Sequence, residues 1–130
     1  MLVIDASALY EVLTDGPLAS GVRARMRAEP DQAAPQLIDA EVVGLLRRDS
    51  LLRNVDDTTG ALALRDLQDW PGERLTHRLF LDRVWELRDN VRSWDAFYVA
   101  VAEALNCPLL TLDGRLARAR GPRCEIDVIR

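Results

Sequence analysis

The sequence contains no lysine, and all 17 of its basic residues are arginine. This absence excludes sites that depend on a lysine side chain, namely the phosphate-binding P-loop, the Schiff-base enzymes and the receiver domains that accept a phosphoryl group. The formal net charge of −4 argues against nonspecific binding of nucleic acid, which usually requires an excess of positive charge. It does not exclude an enzyme that acts on nucleic acid, because a carboxylate cluster and a local arginine patch can coexist.

Histidine and cysteine are also scarce. The single histidine, His77, excludes a histidine-rich metal cluster within the chain and is a poor basis for a Ser-His-Asp triad. Because His77 lies in an alternation of apolar and polar residues, we assign it a structural role. The two cysteines, Cys107 and Cys124, form no CxxC pair and are predicted to be free thiols.

Long apolar runs are absent as well. None approaches the ~20 residues that span a membrane, and the apolar run at the N-terminus is too short for a signal peptide. We therefore expect a cytoplasmic protein that does not enter a membrane. With 130 residues and no linker or internal repeat, the chain is predicted to form one domain over residues 1–130.

Short apolar segments alternate with helical ones along the chain. "LVI" and "LLTL" are typical of buried strands, each is followed by an aspartate, and "RCEIDVI" predicts a last strand. "AEPDQAAP" is predicted to be a loop or a short extended piece, and "QLIDAEVVGLLRR" a helix from about Leu37 to Arg48. "SWDAFYVAVAEAL" is the strongest helix signal, with Ser93 as its expected N-cap. This alternation predicts an α/β fold with a mainly parallel sheet.

Four carboxylates stand out from this pattern. Asp5 and Asp113 follow predicted strands, where ligands of parallel sheets bind, although either residue alone is explained as a helix cap. Glu41 lies within the apolar arc of its helix, where a charged group is costly unless it is paired or binds a cation, whereas Asp39 lies away from that arc and is expected to be solvated. Asp95 suits the first turn of its helix, but the rest of that helix is apolar, which directs it toward the sheet.

If these four carboxylates converge, their mutual repulsion requires a cation among them. Oxygen ligands without nearby histidine or cysteine favour Mg²⁺ or Mn²⁺. Such an ion can activate water and stabilise charge on a phosphoryl oxygen. The residues therefore predict metal-assisted hydrolysis of a phosphate ester.

Four stretches of the sequence, in order, resemble the motifs of PIN-domain ribonucleases: "VIDASAL", "PQLIDAEVVGLLRR", "SWDAFYVAVAEAL" and "LLTLDGRLAR". The third is similar to VapC-type toxins of bacterial toxin–antitoxin pairs. The resemblance implies a three-layer α/β/α fold with a central parallel sheet and Mg²⁺- or Mn²⁺-dependent endonucleolytic cleavage of RNA. It also implies that Asp5, Glu41, Asp95 and Asp113 form the metal site.

The same resemblance implies roles for further residues and partners. Ser7 and Thr111 match positions where the family often has a hydroxyl beside the acids, and Arg115 and Arg118 are candidates for contacting RNA phosphates. Some relatives carry another acid just after the last aspartate, where this chain has Gly114 followed by Arg115. The resemblance further implies a homodimer that is inhibited by a small cognate antitoxin.

Other interpretations remain open at this stage. The chain can be a catalytically inactive PIN-like module that binds RNA or protein, although the presence of all four acids favours an active enzyme. Phosphatases of the haloacid-dehalogenase type fit poorly, because Ser7 occupies the position of their second acid and lysine is absent. The aromatic residues Trp94, Phe97 and Tyr98 either stack on bases or belong to the core or a dimer contact.

Overall fold

A computed structural model describes all 130 residues, Met1–Arg130. Five short strands form one sheet in the order β3-β2-β1-β4-β5, and all four neighbouring pairs are parallel. This arrangement confirms the predicted α/β fold with a parallel sheet. The strands are β1 (Leu2–Ile4), β2 (Gln32–Pro35), β3 (Glu73–Leu75), β4 (Leu109–Thr111) and β5 (Ile126–Val128).

Helices connect the strands and cover the sheet, giving the three-layer α/β/α architecture that the resemblance implies. None of them has the length and apolar character needed to cross a lipid bilayer. A 3₁₀ turn at Arg78–Phe80 precedes the fifth helix. The helices are α1 (Ala6–Leu13), α2 (Ala19–Ala28), α3 (Leu37–Leu51), α4 (Asp57–Asp69), α5 (Leu81–Glu86), α6 (Ser93–Leu105) and α7 (Gly114–Arg118).

Strand β1 and helix α6 together contribute ten of the 27 residues of the buried core. All three residues of β1 are fully buried between β2 and β4. In α6, every residue from Ala96 to Ala102 is buried, as expected for a helix that is apolar on all sides. The helix ends at Asn106, whose φ of 50° is the left-handed conformation that commonly terminates helices.

Two local predictions differ from the structure, and the structure decides a third segment for which a loop and a short extended piece were both left open. "AEPDQAAP" contains the inner strand β2, in which Ala33 and Ala34 are fully buried, and the small residues of this strand gave little apolar signal. Helix α3 extends to Leu51, beyond the predicted end at Arg48. Ser93 is the first residue of α6 rather than its N-cap, because Arg92 occupies that position and no side chain caps the helix.

The order of the strands places a crevice between β1 and β4. From β1 the chain builds β2 and β3 on one side of the sheet, and β4 and β5 then extend it on the other side. Ligands of open parallel sheets bind at such a switch point, outside the carboxyl ends of the strands. The backbone N–H of Asp5 donates to the carbonyl of Leu110 at 3.0 Å, which fixes the end of β1 against β4 at this point.

Candidate active site

Asp5 lies at the carboxyl end of β1 and is both a helix cap and part of the crevice. Its Oδ1 accepts hydrogen bonds from the backbone N–H of Ala8 at 2.9 Å and from the hydroxyl of Ser7 at 2.7 Å. Its Oδ2 accepts from the hydroxyl of Thr111 at 2.5 Å. Asp5 is only 7% exposed, and this burial raises the pKa of its carboxyl, although the three donors oppose the rise.

The hydroxyls of Ser7 and Thr111 connect Asp5 to the loop after β4. Ser7 Oγ accepts a hydrogen bond from the backbone N–H of Leu112 at 3.1 Å. Thr111 Oγ1 accepts one from the backbone N–H of Asp113 at 3.0 Å. Each hydroxyl thus donates to Asp5 and accepts from the backbone, so the two residues fix the carboxylate in position. That they orient a metal-bound water stays a prediction.

Glu41 lies in the second turn of α3 and carries a buried oxygen without a partner. Its Oε1 makes no hydrogen bond, and neither does the buried hydroxyl of Tyr98. The two groups are close enough that the Tyr98 hydroxyl opposes the rise in the pKa of Glu41, but they do not adopt hydrogen-bond geometry. Burial raises the pKa of Glu41 to about 6, and the negative charges of Asp95 and Asp5 add to the rise.

Asp95 and Asp113 face each other across the crevice and are held near two arginines. Burial raises the pKa of Asp95, as does the charge of Asp113. Burial acts in the same direction on Asp113, but its hydrogen bonds from Arg115 outweigh it and lower that pKa. Arg92 lies 3.7 Å from one oxygen of Asp95 and 3.7 Å from one of Asp113. Together with Arg115, these residues line a crevice of about 120 Å³.

Three of the four predicted acids are linked by direct contacts, because Thr111 joins Asp5 to the backbone of Asp113 and Arg92 contacts both Asp113 and Asp95. The charge of Asp95 raises the pKa values of both Asp5 and Glu41, and that of Asp113 raises the pKa of Asp95. Their side chains are not arranged as a finished metal site, since no three acidic, histidine or cysteine residues are grouped to hold an ion. The arginine side chains instead provide positive charge beside Asp95 and Asp113.

Of the two predicted phosphate contacts, Arg115 lines the same crevice and Arg118 is not among its lining residues. Arg115 donates to Asp113 through its backbone N–H at 2.9 Å and through its Nε at 3.2 Å. Its guanidinium is thus paired with an acid rather than free. Arg118, in the last turn of α7, is exposed. Contact of either residue with RNA stays a prediction.

Asp39 on α3 and His77 beside its first turn both form contacts within the protein. The expectation that Asp39 is simply solvated was incomplete, because its carboxylate forms a two-point ion pair with Arg74 at 3.0 and 3.2 Å. His77 has the structural role assigned to it, since its Nε2 accepts from the backbone N–H of Leu37 at 3.1 Å. Its ring also packs on Phe97, with 4.7 Å between the ring centroids. His77 thereby holds the first turn of the helix that carries Glu41.

Sequence reasoning missed Arg92 as a residue of this site. Its position three residues before Asp95 was the available signal, because side chains at that spacing around a helix start can pair. Of the three aromatic residues considered for base stacking, Phe97 and Tyr98 are buried in the core, whereas Trp94 is 62% exposed. Cys107 and Cys124 are free thiols, as predicted.

Comparisons with known proteins agree with this architecture. Residues 2–122 match the family model of the PIN domain. The chain is 35% identical over 129 residues to ribonuclease VapC12 of Mycobacterium tuberculosis, and the match covers 99% of each chain. It is 39% identical over 129 residues to ribonuclease VapC1 of the same organism, and that match covers 98% of this chain and 97% of the relative. The structure of VapBC2 from Rickettsia felis bound to a DNA fragment from their promoter superposes with a TM-score of 0.72 at 12% identity, covering 99% of this chain and 98% of the other. The chain thus belongs to the PIN domain family, and the resemblance to VapC proteins inferred from its motifs is confirmed.

Proposed function

We propose that this protein is a Mg²⁺- or Mn²⁺-dependent endoribonuclease that hydrolyses phosphodiester bonds in RNA, with Asp5, Glu41, Asp95 and Asp113 as its metal site. The observation that carries the proposal is the buried, unpartnered Oε1 of Glu41 beside the carboxylates of Asp95 and Asp5. A buried carboxylate oxygen without a donor is costly, and binding a cation removes that cost. The ribonuclease names of the two VapC relatives support the choice of RNA as substrate.

The chemistry of the donors fits a hard divalent cation. All four residues offer carboxylate oxygens, and the one histidine of the chain is occupied with the backbone of α3. Burial and mutual repulsion raise the pKa values of Asp5, Glu41 and Asp95, which are the shifts that a bound cation would reverse. When bound, the ion would supply an activated water and stabilise negative charge on the phosphate.

The residues of the site have distinct roles in holding the acids and in binding the substrate. Asp5 is fixed by three donors, so it forms a rigid side of the site. Asp95 and Asp113 carry the arginine partners Arg92 and Arg115, and a cation held by these acids would take over the charge compensation that the arginines provide. Arg115, which lies beside Asp113, and the exposed Arg118 would contact RNA phosphates by charge-assisted hydrogen bonds.

We further propose that the enzyme acts as a homodimeric toxin neutralised by a small cognate antitoxin. The relationship to VapC ribonucleases supports this biological setting, and the structure of VapBC2 provides a neighbour of the same fold. An arginine of such a partner can pair with the carboxylates of the crevice, just as Arg92 of the chain itself pairs with Asp95 and Asp113.

Cleavage of a labelled single-stranded RNA in the presence of Mn²⁺ tests the enzymatic part. We expect cleavage by the wild type, loss of cleavage with EDTA, and loss in Asp5→Asn and Asp95→Asn with the fold retained. Asp66→Asn is the matched control, because Asp66 is an exposed aspartate on α4. Cleavage that persists in EDTA would contradict the proposal.

Two further measurements separate the proposal from the alternative of an inactive binding module. Calorimetric titration with Mn²⁺ should show binding by the wild type and by Asp66→Asn but not by Asp95→Asn. Expression of the wild type should arrest growth, and co-expression of the neighbouring small gene product should restore it. If the protein binds RNA but does not bind Mn²⁺ and does not cut RNA, it is the inactive module.

A further inference from the structure

A cleft beside the acidic crevice contains two exposed tryptophans. Trp85 on α5 is 67% exposed and Trp94 at the start of α6 is 62% exposed, although tryptophan is usually mostly buried. Both line the same cleft, whose volume is about 550 Å³. The third tryptophan, Trp70, is buried in the core, so the exposure of the other two is specific to this place.

The cleft is cationic as well as aromatic. Its polar lining includes Arg88 and Arg92 and no acidic residue. The guanidinium of Arg88 lies over the ring of Trp85, 4.5 Å from its centroid, and so occupies one face of that ring. No aromatic or cationic group stacks on Trp94, which leaves its ring available to a ligand. Exposed aromatic rings combined with arginines are the features of a single-strand nucleic-acid binding surface.

The cleft adjoins the acidic residues on two sides. Arg92 belongs both to the cleft and to the crevice that contains Asp95 and Asp113. Trp94 lines both the cleft and a second groove, of about 810 Å³, to which Glu41 contributes. A ligand in the cleft would therefore lie beside the crevice of Asp95 and Asp113 on one side and the groove of Glu41 on the other.

We propose that this cleft binds an unpaired base of the RNA substrate, stacked on Trp94, with Arg88 and Arg92 facing the adjoining phosphates. The inference rests on the proposed function and extends it, because it assigns the recognition of single-stranded RNA to a defined place. A second copy of this chain is the less favoured occupant, because arginines are the only charged side chains of the cleft and RNA carries a negative charge at every nucleotide.

Binding of a fluorescein-labelled single-stranded RNA in EDTA tests the site without cleavage. Trp94→Ala should weaken binding about 5- to 150-fold, the loss that corresponds to removal of one base–aromatic stack. Trp94→Phe keeps an aromatic face and should retain most of the affinity. Leu51→Ala is the control, because it also truncates an exposed apolar side chain, on α3 and outside the cleft.

Two companion measurements make every outcome informative. The same RNA annealed to its complement should bind wild type and Trp94→Ala equally, since paired bases cannot stack on the ring. Sedimentation should give the same oligomeric state for the wild type and for Trp94→Ala. Equal affinity of both proteins for the single strand would overturn the proposal, and an altered oligomeric state with unchanged RNA binding would assign the cleft to contact between copies of the chain.

The outcome also distinguishes this inference from the proposed function. If the wild type binds single-stranded RNA through Trp94 but does not cut it with Mn²⁺, the base site stands and the proposed enzymatic function fails. If the wild type cuts RNA and Trp94→Ala binds and cuts equally well, only the base site fails. Absence of binding by the wild type in EDTA would also overturn the base site.

Discussion

The hydroxyl of Thr111 donates a hydrogen bond of 2.5 Å to the carboxylate of Asp5, which joins the carboxyl ends of β1 and β4. The two residues are 106 positions apart in the sequence, and both are buried. The same hydroxyl accepts from the backbone N–H of Asp113. One side chain thus sets the relative positions of the first and the last acid of the candidate site.

Thr111→Val should destabilise the protein by about 1–3 kcal/mol, because it leaves a buried oxygen of Asp5 and the N–H of Asp113 without a partner. Thr111→Ser keeps the hydroxyl and removes only a methyl group, so a loss of about 0.5–1.5 kcal/mol is expected. Urea denaturation of the metal-free proteins measures both values. A valine variant as stable as the wild type would show that the hydroxyl contributes nothing.

The parts of the fold that the sequence predicted are those with a strong local pattern. Strand β1 is apolar throughout and helix α6 over most of its length, and both proved to be core elements. For strand β2 the sequence left a loop and a short extended piece open, because its burial depends on its neighbours. Two alanines and a proline have weak apolar character and become an inner strand only between β1 and β3. Tertiary context decides such segments.

The residues of the candidate site also divide into those that a local sequence pattern predicts and those that depend on tertiary contacts. A helical wheel places Glu41 on the apolar face of its helix, and its buried oxygen agrees with that placement. No local pattern encodes the contact of Arg92 with Asp113, because it joins residues on different elements. Nor does composition show which of three aromatic residues remains exposed, since the exposure of Trp94 depends on how α5 packs beside α6.

The raised pKa of Glu41, about 6, makes the metal-free protein sensitive to pH. Because the folded state binds this proton more tightly than the unfolded chain does, its stabilising contribution is present at low pH and is lost as the pH rises through about 6. The buried carboxyls of Asp5 and Asp95 shift in the same direction. The free energy of unfolding should therefore fall between about pH 4.5, the ordinary pKa of a glutamate, and about pH 6.

Glu41→Gln should reduce this fall, because glutamine does not ionise, and Mn²⁺ should stabilise the wild type near pH 7 but the variant much less. Thermal unfolding in EDTA and in Mn²⁺ across that pH range gives the measurement. Glu73→Gln is the control, since Glu73 is an exposed residue of β3. A Glu41→Gln profile parallel to that of the wild type would mean that Glu41 does not titrate in this range.

Removal of the His77 ring should destabilise the start of α3. His77→Ala deletes the acceptor for the N–H of Leu37 and the packing on Phe97, and a loss of about 1–3 kcal/mol is expected. His77→Gln offers a side-chain oxygen as a substitute acceptor and should lose less. Hydrogen exchange at the first turn of α3 would report the effect locally, and unchanged protection there in His77→Ala would contradict it.

Arg92 contacts the acidic residues and also lines the cleft proposed to bind RNA. Its removal should therefore raise the affinity for Mn²⁺ and lower the affinity for single-stranded RNA. Its guanidinium lies 3.7 Å from Asp95 and 3.7 Å from Asp113, so Arg92→Gln removes a positive charge that opposes a cation between the acids. At about 1 kcal/mol for such a pair in water, Mn²⁺ affinity should rise about fivefold at low ionic strength and less at high salt. The affinity for single-stranded RNA in EDTA should fall, because a phosphate contact of the cleft is lost.

Arg65→Gln is the control, because Arg65 is an exposed arginine of α4, and it should change neither affinity. Calorimetry with Mn²⁺ and fluorescence anisotropy with RNA measure the two effects, and a joint decrease in both affinities would show instead that Arg92 holds the acids in their binding arrangement.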